Sequence, residues 1–224
     1  MTNPSGPRDE PLSWPVVDSA ERFDGWVIAL RSDTVRSPVD GSEFVRDVVV
    51  HPGAVAVVAV DEEDRVLVVR QYRHPVGLRP VELPAGLRDV DGEPPHEAAA
   101  RELYEEGHVR AADWRVLIDL LTSPGMTDEA IRVFLARGVE VLPDGDRFAG
   151  VAEEADLGVA WVPLDDLVAA ALAGDVQNAA LVAGVLAAKA ARDGAGYDAL
   201  REVGAPWPSG AWPSGDRDGD SSAG

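Results

Sequence analysis

The chain has 224 residues, 46% of them hydrophobic, with 40 acidic against 20 basic side chains and a formal net charge of -20. That length suits one well-buried domain with extensions, and the charge disfavours nucleic acid and anionic membrane as partners, since no polybasic patch offsets it. The chain has no cysteine, which excludes disulfides and thiolate metal sites, and a polar start with no apolar run of membrane-spanning length makes a cytoplasmic protein the expectation.

Residues 1–20 hold four prolines and little periodicity, and read as a loosely ordered arm that Trp14 could dock. Over 21–52, two apolar-rich segments, Trp26 to Leu30 and Phe44 to Val50, flank a polar turn at Ser37 to Gly41. They predict a separate N-terminal antiparallel β element. The main domain is expected over 53–192. It opens with a nearly continuous apolar run from Gly53 to Val60, a charged turn at Asp61 to Asp64 and a second run at Val66 to Val69, read as two buried strands. Gln71, Tyr72, Arg73 and His74 follow, and Val81 to Leu83 forms a short strand leading into Pro84, Ala85 and Gly86.

From there a loop runs into an acidic helix. Pro94 and Pro95 suit a first turn, where an amide hydrogen would lack a partner, and Gly107 suits the position just past the end, so the helix is predicted from about Pro94 to about Glu106. Helical periodicity stacks Glu102 over Glu106 with Glu105 beside them, while Ala99 and Leu103 lie on a separate apolar stripe. Glu followed four residues later by Glu is a like-charge pair that works against folding. Arg101 is in reach of Glu97 and Glu105, which leaves Glu102 and Glu106 uncompensated. A hard divalent cation with oxygen ligands, magnesium above all, would offset them, whereas a solvated acidic face is the plainer alternative.

Gly86, Glu93, Arg101, Glu102, Leu103, Glu105 and Glu106 together closely resemble the Nudix box, the signature of hydrolases that cleave a nucleoside diphosphate linked to another group. Seven residues separate Glu93 from Arg101, as the family requires. Six separate Gly86 from Glu93, one more than usual, and the final glycine of the box is replaced by His108, with Gly107 one place early. The resemblance implies an α/β fold over roughly 50–190, the Nudix α/β/α sandwich with a mixed sheet. It also implies Glu102, Glu105 and Glu106 as metal ligands, the Ala85 carbonyl completing the metal's oxygen shell, and Glu105 and Arg101 among the catalytic residues.

Beyond the helix, Arg115 to Leu121, Ile131 to Ala136 and Val159 to Val162 read as strands. Leu164 to Leu172 and Asn178 to Ala191 carry apolar residues at helical spacing, separated by Gly174 and Asp175. From 193 to 224 Gly, Pro, Ser and Asp dominate, around a near-repeat at Trp207 and Trp212, and a disordered tail is expected. His51, His74, His96 and His108 lack the spacing of a zinc site.

Within the family the chain looks like the ADP-ribose pyrophosphatase branch. In that branch a glutamate of the loop before the last strand activates the attacking water. Glu153 takes that place, with Glu154 as the runner-up. Arg73 in its Gln71-Tyr72-Arg73 setting resembles a contact to substrate phosphate, Glu82 a residue that helps arrange the site, and Pro124, fifteen residues beyond Val109, a marker of ADP-ribose recognition. The resemblance therefore implies magnesium-dependent hydrolysis of ADP-ribose to AMP and ribose 5-phosphate, with manganese as a substitute metal. It also implies a homodimer through the N-terminal element. The alternatives are another nucleoside-diphosphate sugar or a dinucleotide as substrate, and a non-catalytic nucleotide-sugar sensor.

Overall fold

The structure is a computed structural model that describes residues 6–143 and 157–207. Its elements in chain order are β1 (Val16–Asp24), β2 (Ala29–Arg36), β3 (Glu43–Val50), β4 (Ala54–Ala59), β5 (Arg65–Arg70), β6 (Val81–Glu82), β7 (Ala85–Leu87), α1 (Pro95–Gly107), β8 (Val109–Leu121), β9 (Ala130–Val141), β10 (Gly158–Pro163), α2 (Leu164–Ala173), α3 (Ala179–Asp193) and β11 (Arg201–Glu202). They fall into two compact units. One takes in the described residues up to Gly53, Leu121–Ala130 and the stretch from Pro206; the other comprises Ala54–Leu120 and Ile131–Ala205.

The first unit is an antiparallel sheet in the order β1-β2-β3. The register from Ala29 opposite Val50 to Arg36 opposite Glu43 puts the predicted polar turn at the hairpin end, where the Ser37 N–H donates to the Ser42 carbonyl at 2.8 Å. The expected loose arm ends sooner than its composition suggested. β1 starts at Val16 and pairs along the whole of β2, and Trp14 meets the Phe44 ring edge-on with centroids 6.0 Å apart. Proline density marks only the segment before Val16; a strand exposed along nearly its whole length carries no apolar alternation to betray it.

Residues 121–130 fold back on the end of β3. The Val49 N–H donates to the Met126 carbonyl at 2.8 Å, and the Thr127 hydroxyl to the Val49 carbonyl at 2.9 Å. His51 accepts the Gly53 N–H at Nδ1, 3.1 Å away. The ring proton therefore sits on Nε2, which faces Glu129 at 3.6 Å.

The second unit contains a five-stranded sheet, β11-β8-β9-β4-β7, and a three-stranded sheet, β10-β5-β6. The larger sheet is mixed: β4 runs parallel to β9 and antiparallel to β7. Alternation along its central strands separates two cores. Val55, Val57, Ala59, Phe134 and Ala136 pack with Ala98, Ala99 and Leu103 of α1. Ala56, Val58, Val133 and Leu135 pack with Leu164 and Leu167 of α2 and Leu181, Val185 and Ala188 of α3. A strand covered on both faces needs apolar residues at every position, which is why β4 reads as an unbroken run. These helices on opposite faces of a mixed sheet are the expected α/β/α sandwich.

Order also continues past Asp193, where a disordered tail was expected. A 3-10 turn at Tyr197–Ala199 leads to β11, which pairs with β8, and Trp207 is buried. Two arginines hold this segment. Arg201 donates to Asp119 at 2.7 Å, and Arg132, bonded to the same carboxylate, donates to the Ala205 carbonyl at 2.7 Å. Composition does not register such long-range pairing. Residues 208–224 lie outside the described part of the chain.

Candidate active site

The acidic helix matches its expected span to within one residue at each end, but its C-terminus is built differently from the expected glycine cap. Gly107 is the last helical residue, and His108 takes the left-handed cap position with φ 55° and ψ 38°. Packing explains the shift: a Cβ on Gly107 would lie 2.5 Å from Leu67 Cδ2 of β5. Glycine is needed here for the close approach of helix and strand, and the cap is left to a residue that adopts positive φ at some strain.

The other glycine of the box serves a carboxylate. β7 passes beneath α1, and a Cβ on Gly86 would fall 2.1 Å from the carboxyl group of Glu102. Absence of a side chain at Gly86 therefore lets Glu102 lie against the main chain. One residue earlier, the Ala85 N–H donates to Glu106 Oε2 at 2.9 Å. The turn at Pro84 to Gly86 and the last two turns of α1 thus hold two carboxylates side by side in a largely buried position.

Arg101 pairs differently from what helical spacing alone suggested. Among the described residues it bonds both oxygens of Glu93 at 3.1 Å, Glu102 at 2.6 Å and Glu105 at 3.4 Å, and not Glu97. The loop before the helix folds Glu93 onto the guanidinium, a contact no local periodicity encodes. This ion-pair set holds the Arg101 pKa well above its usual range, chiefly through the Glu93 hydrogen bonds. Glu102 is therefore compensated in part, whereas Glu106 accepts the Ala85 N–H and has no ion pair among the described residues.

Electrostatics follow burial. Glu106 is 8% exposed, and its pKa is pushed up from 4.5 to about 7, first by desolvation, with the Ala85 N–H opposing and Glu102 adding repulsion. Desolvation also raises Glu102, against the pull of Arg101. Glu105, farther out, faces Arg101.

Arg73 and Glu82 form a second constellation in the same unit. Arg73 reaches Glu82 through Nε at 3.1 Å to each oxygen and through Nη2 at 2.7 Å. The Glu82 carboxylate, 3% exposed, also accepts from Gln71 Nε2 at 3.4 Å and Asn178 Nδ2 at 3.1 Å. Its charge and that of Arg73 both act on Glu106. Sequence pattern names Gln71 only as the setting of Arg73 and gives Asn178 no part near Glu82, yet both donate to that carboxylate. Asn178 carries a sequence signal only as a helix cap, since its partner Glu82 is 96 positions away.

Pro124 lies in the first unit, exposed at a turn in which the Met126 N–H donates to the Ser123 carbonyl at 2.9 Å. Glu153 and Glu154 fall outside the described residues.

Among the described residues no three acidic or histidine side chains gather round one point as a preformed metal cage. The donor set nevertheless fits a hard dication. Glu102, Glu105 and Glu106 supply anionic oxygens, and the two buried ones have raised proton affinity, which a neighbouring cation would reverse. Together with the Ala85 carbonyl they are the residues that would hold such an ion.

Comparison with known proteins agrees with this architecture. The NUDIX domain matches residues 50–183. The chain is 46% identical over 178 residues to the ADP-ribose pyrophosphatase of Mycobacterium tuberculosis, covering 80% of this chain and 84% of that protein. It is 37% identical over 150 residues to the methanol dehydrogenase activator of Bacillus methanolicus, covering 67% and 78%. Among solved structures, the crystal structure of an ADP compounds hydrolase superposes with a TM-score of 0.70 at 20% identity, over 84% of this chain and 99% of that one, a likeness of fold. With the sandwich, the glycine-cradled glutamates and the domain match in agreement, the chain belongs to the Nudix family.

Proposed function

We propose that the protein hydrolyses the pyrophosphate of ADP-ribose, giving AMP and ribose 5-phosphate, with magnesium as its cation and manganese as a substitute. The observation that carries this reading is Glu106, a buried carboxylate with a pKa near 7 placed beside Glu102 on an otherwise regular helix. A fold does not retain such an arrangement for its own stability. The relative from M. tuberculosis supplies the substrate.

In the reaction, water oxygen bonds to one phosphorus, the phosphoanhydride P–O bond breaks, and the departing phosphate takes the electron pair. The bound dication would neutralise phosphate charge and polarise the attacking water. Arg73, its guanidinium edge held by Glu82, binds a substrate phosphate. Arg101 keeps Glu102 and Glu105 in place. Glu153, or Glu154 one position on, accepts the proton of the water, and Pro124 contributes to substrate recognition. The chain acts in the cytoplasm as a two-fold homodimer through its N-terminal sheet, a reading supported by exposed Phe23, Trp26 and Val45 there.

The test is product analysis on ADP-ribose, ADP-glucose, UDP-glucose, NADH and diadenosine polyphosphates, with magnesium, manganese or chelator. The expected outcome is the highest kcat/KM for ADP-ribose, with AMP and ribose 5-phosphate formed only when metal is present. A clear preference for another substrate, or no turnover, rejects the reading. A regulatory role is favoured by the relative named as an activator. Absent turnover with retained ADP-ribose binding would select it.

A further inference from the structure

The caging of Glu82 singles out one residue that the family signature does not cover. Asn178 is the N-cap of α3: its Oδ1 accepts the Leu181 N–H at 3.0 Å. Because the acceptor end of the amide is committed to the helix, its NH2 is turned toward Glu82, where Nδ2 donates to Oε1 at 3.1 Å. Asp and Ser cap helices about as well as Asn. Neither combines that acceptor with an amide donor on the same side chain. Capping therefore explains a polar residue at 178, and the bond to Glu82 explains an amide.

That bond bears on Arg73. Arg73 follows β5 on the loop that enters the 3-10 turn at His74–Val76, and its side chain is 42% exposed. An arginine there has several rotatable bonds, and ordering it on each encounter with substrate weakens binding unless it is aligned beforehand. Alignment comes from Glu82, which sits on the two-residue strand β6. Its carboxylate orientation is set by its donors: Arg73 itself, Gln71 at 3.4 Å, and Asn178 at 3.1 Å from the N-terminus of a well-packed helix. Of the two donors other than Arg73 among the described residues, Asn178 makes the shorter bond, and its own rotamer is locked by the cap.

We infer that Asn178 is a positioning residue of the hydrolase, anchoring the Glu82 carboxylate to α3 so that Arg73 stays aimed at a substrate phosphate. The inference rests on the reading that Arg73 contacts phosphate.

The test uses the full-length chain and the substrate that the wild type hydrolyses best. Asn178→Ser and Asn178→Asp both keep a capping acceptor, whereas Asn178→Ala removes cap and donor together. With the cap retained, Asn178→Ser is expected to leave the melting temperature within about 3 °C of wild type. It should raise KM about three- to tenfold, with kcat within about twofold. Asn178→Asp sets a second carboxylate against Glu82 and should raise KM further. In a Glu82→Gln background the sign reverses, because the carboxylate introduced at position 178 would accept from the amide introduced at position 82. Adding Asn178→Asp should then lower KM relative to Glu82→Gln alone. A purely capping role predicts none of this. Unchanged KM in Asn178→Ser, or Asn178→Asp raising KM equally in both backgrounds, overturns the inference. If the wild type turns over no substrate, the hydrolase reading fails on its own. The same variants are then read by calorimetric ADP-ribose binding, where Asn178→Ser must weaken affinity about three- to tenfold, and unchanged or undetectable binding refutes the positioning role.

Discussion

Replacing Glu106 with Gln should make the metal-free protein more stable while abolishing its activity, and the gain should depend on pH in a defined direction. Glu106 titrates near 7 in the fold against 4.5 for an ordinary carboxylate. Between those values the folded chain holds a proton that the unfolded chain has released, so stability falls as pH rises through this window. Below pH 4.5 both states are protonated and the wild type is not penalised. Above pH 7 the whole difference applies, and at about 1.4 kcal/mol per tenfold change in proton affinity it comes to about 3–4 kcal/mol. Gln keeps the shape and can still accept the Ala85 N–H at the position of Glu106 Oε2. In chelator, Glu106→Gln should therefore melt about 5–10 °C above wild type at about pH 8 and close to wild type at about pH 4.5. Saturating magnesium should raise the wild-type melting temperature at the higher pH and leave the variant unmoved, while kcat falls by about two orders of magnitude or more. Circular dichroism melts at the two pH values decide the matter. A variant less stable than wild type at the higher pH, or a difference that does not change with pH, would refute the electrostatic account.

Gly86→Ala places a Cβ 2.1 Å from the Glu102 carboxyl group, so turnover should fall at least about tenfold with the far-ultraviolet spectrum retained; unaltered kcat/KM would show that Glu102 need not lie against the chain. His108→Gly removes a positive-φ residue, φ 55°, whose buried Nδ1 has no hydrogen-bond partner among the described residues. It should stabilise by about 0.5–1 kcal/mol after the greater unfolded-state freedom of glycine is set against the relieved strain, and a lower melting temperature would contradict this. Arg132→Ala strands the Asp119 carboxylate, 7% exposed, with Arg201 as its remaining partner. The urea midpoint should drop by the equivalent of about 2–4 kcal/mol, with metal affinity unaffected if the network serves only to hold the chain between β9 and Ala205.

What could be read in advance followed a physical rule. The strands at 54–59 and 65–70 were legible because burial on both faces leaves no polar position to confuse the pattern. The acidic helix was legible through its prolines and its spacing of glutamates. β1 was not, since its side chains are exposed almost throughout and its partner β2 alone defines it. The pairing of Arg101 with Glu93, the cage around Glu82 and the arginine clamp on the segment at 201–205 were not legible either. Each joins residues that only the finished fold brings together.

The part of the site that the sequence did disclose was visible because it conflicts with its surroundings. Along α1 the apolar stripe of Ala99 and Leu103 agrees with the core it meets, and Glu97 in the first turn agrees with the helix dipole. Glu106 agrees with neither: it repeats the charge of Glu102 one turn away and is buried with no ion pair among the described residues, Arg73 acting on it only through its field. Local preference and global packing point the same way at the apolar stripe and in the first turn, so a position where both are violated marks a demand from outside the fold. Asn178 shows the limit of that logic. Its amide satisfies the helix cap and the Glu82 carboxylate at once, and a residue whose functional and structural roles coincide creates no conflict for a sequence pattern to reveal. Only the direction in which its donor points, seen in three dimensions, separates the two roles, which is why variants that keep the cap and remove the donor are needed to tell them apart.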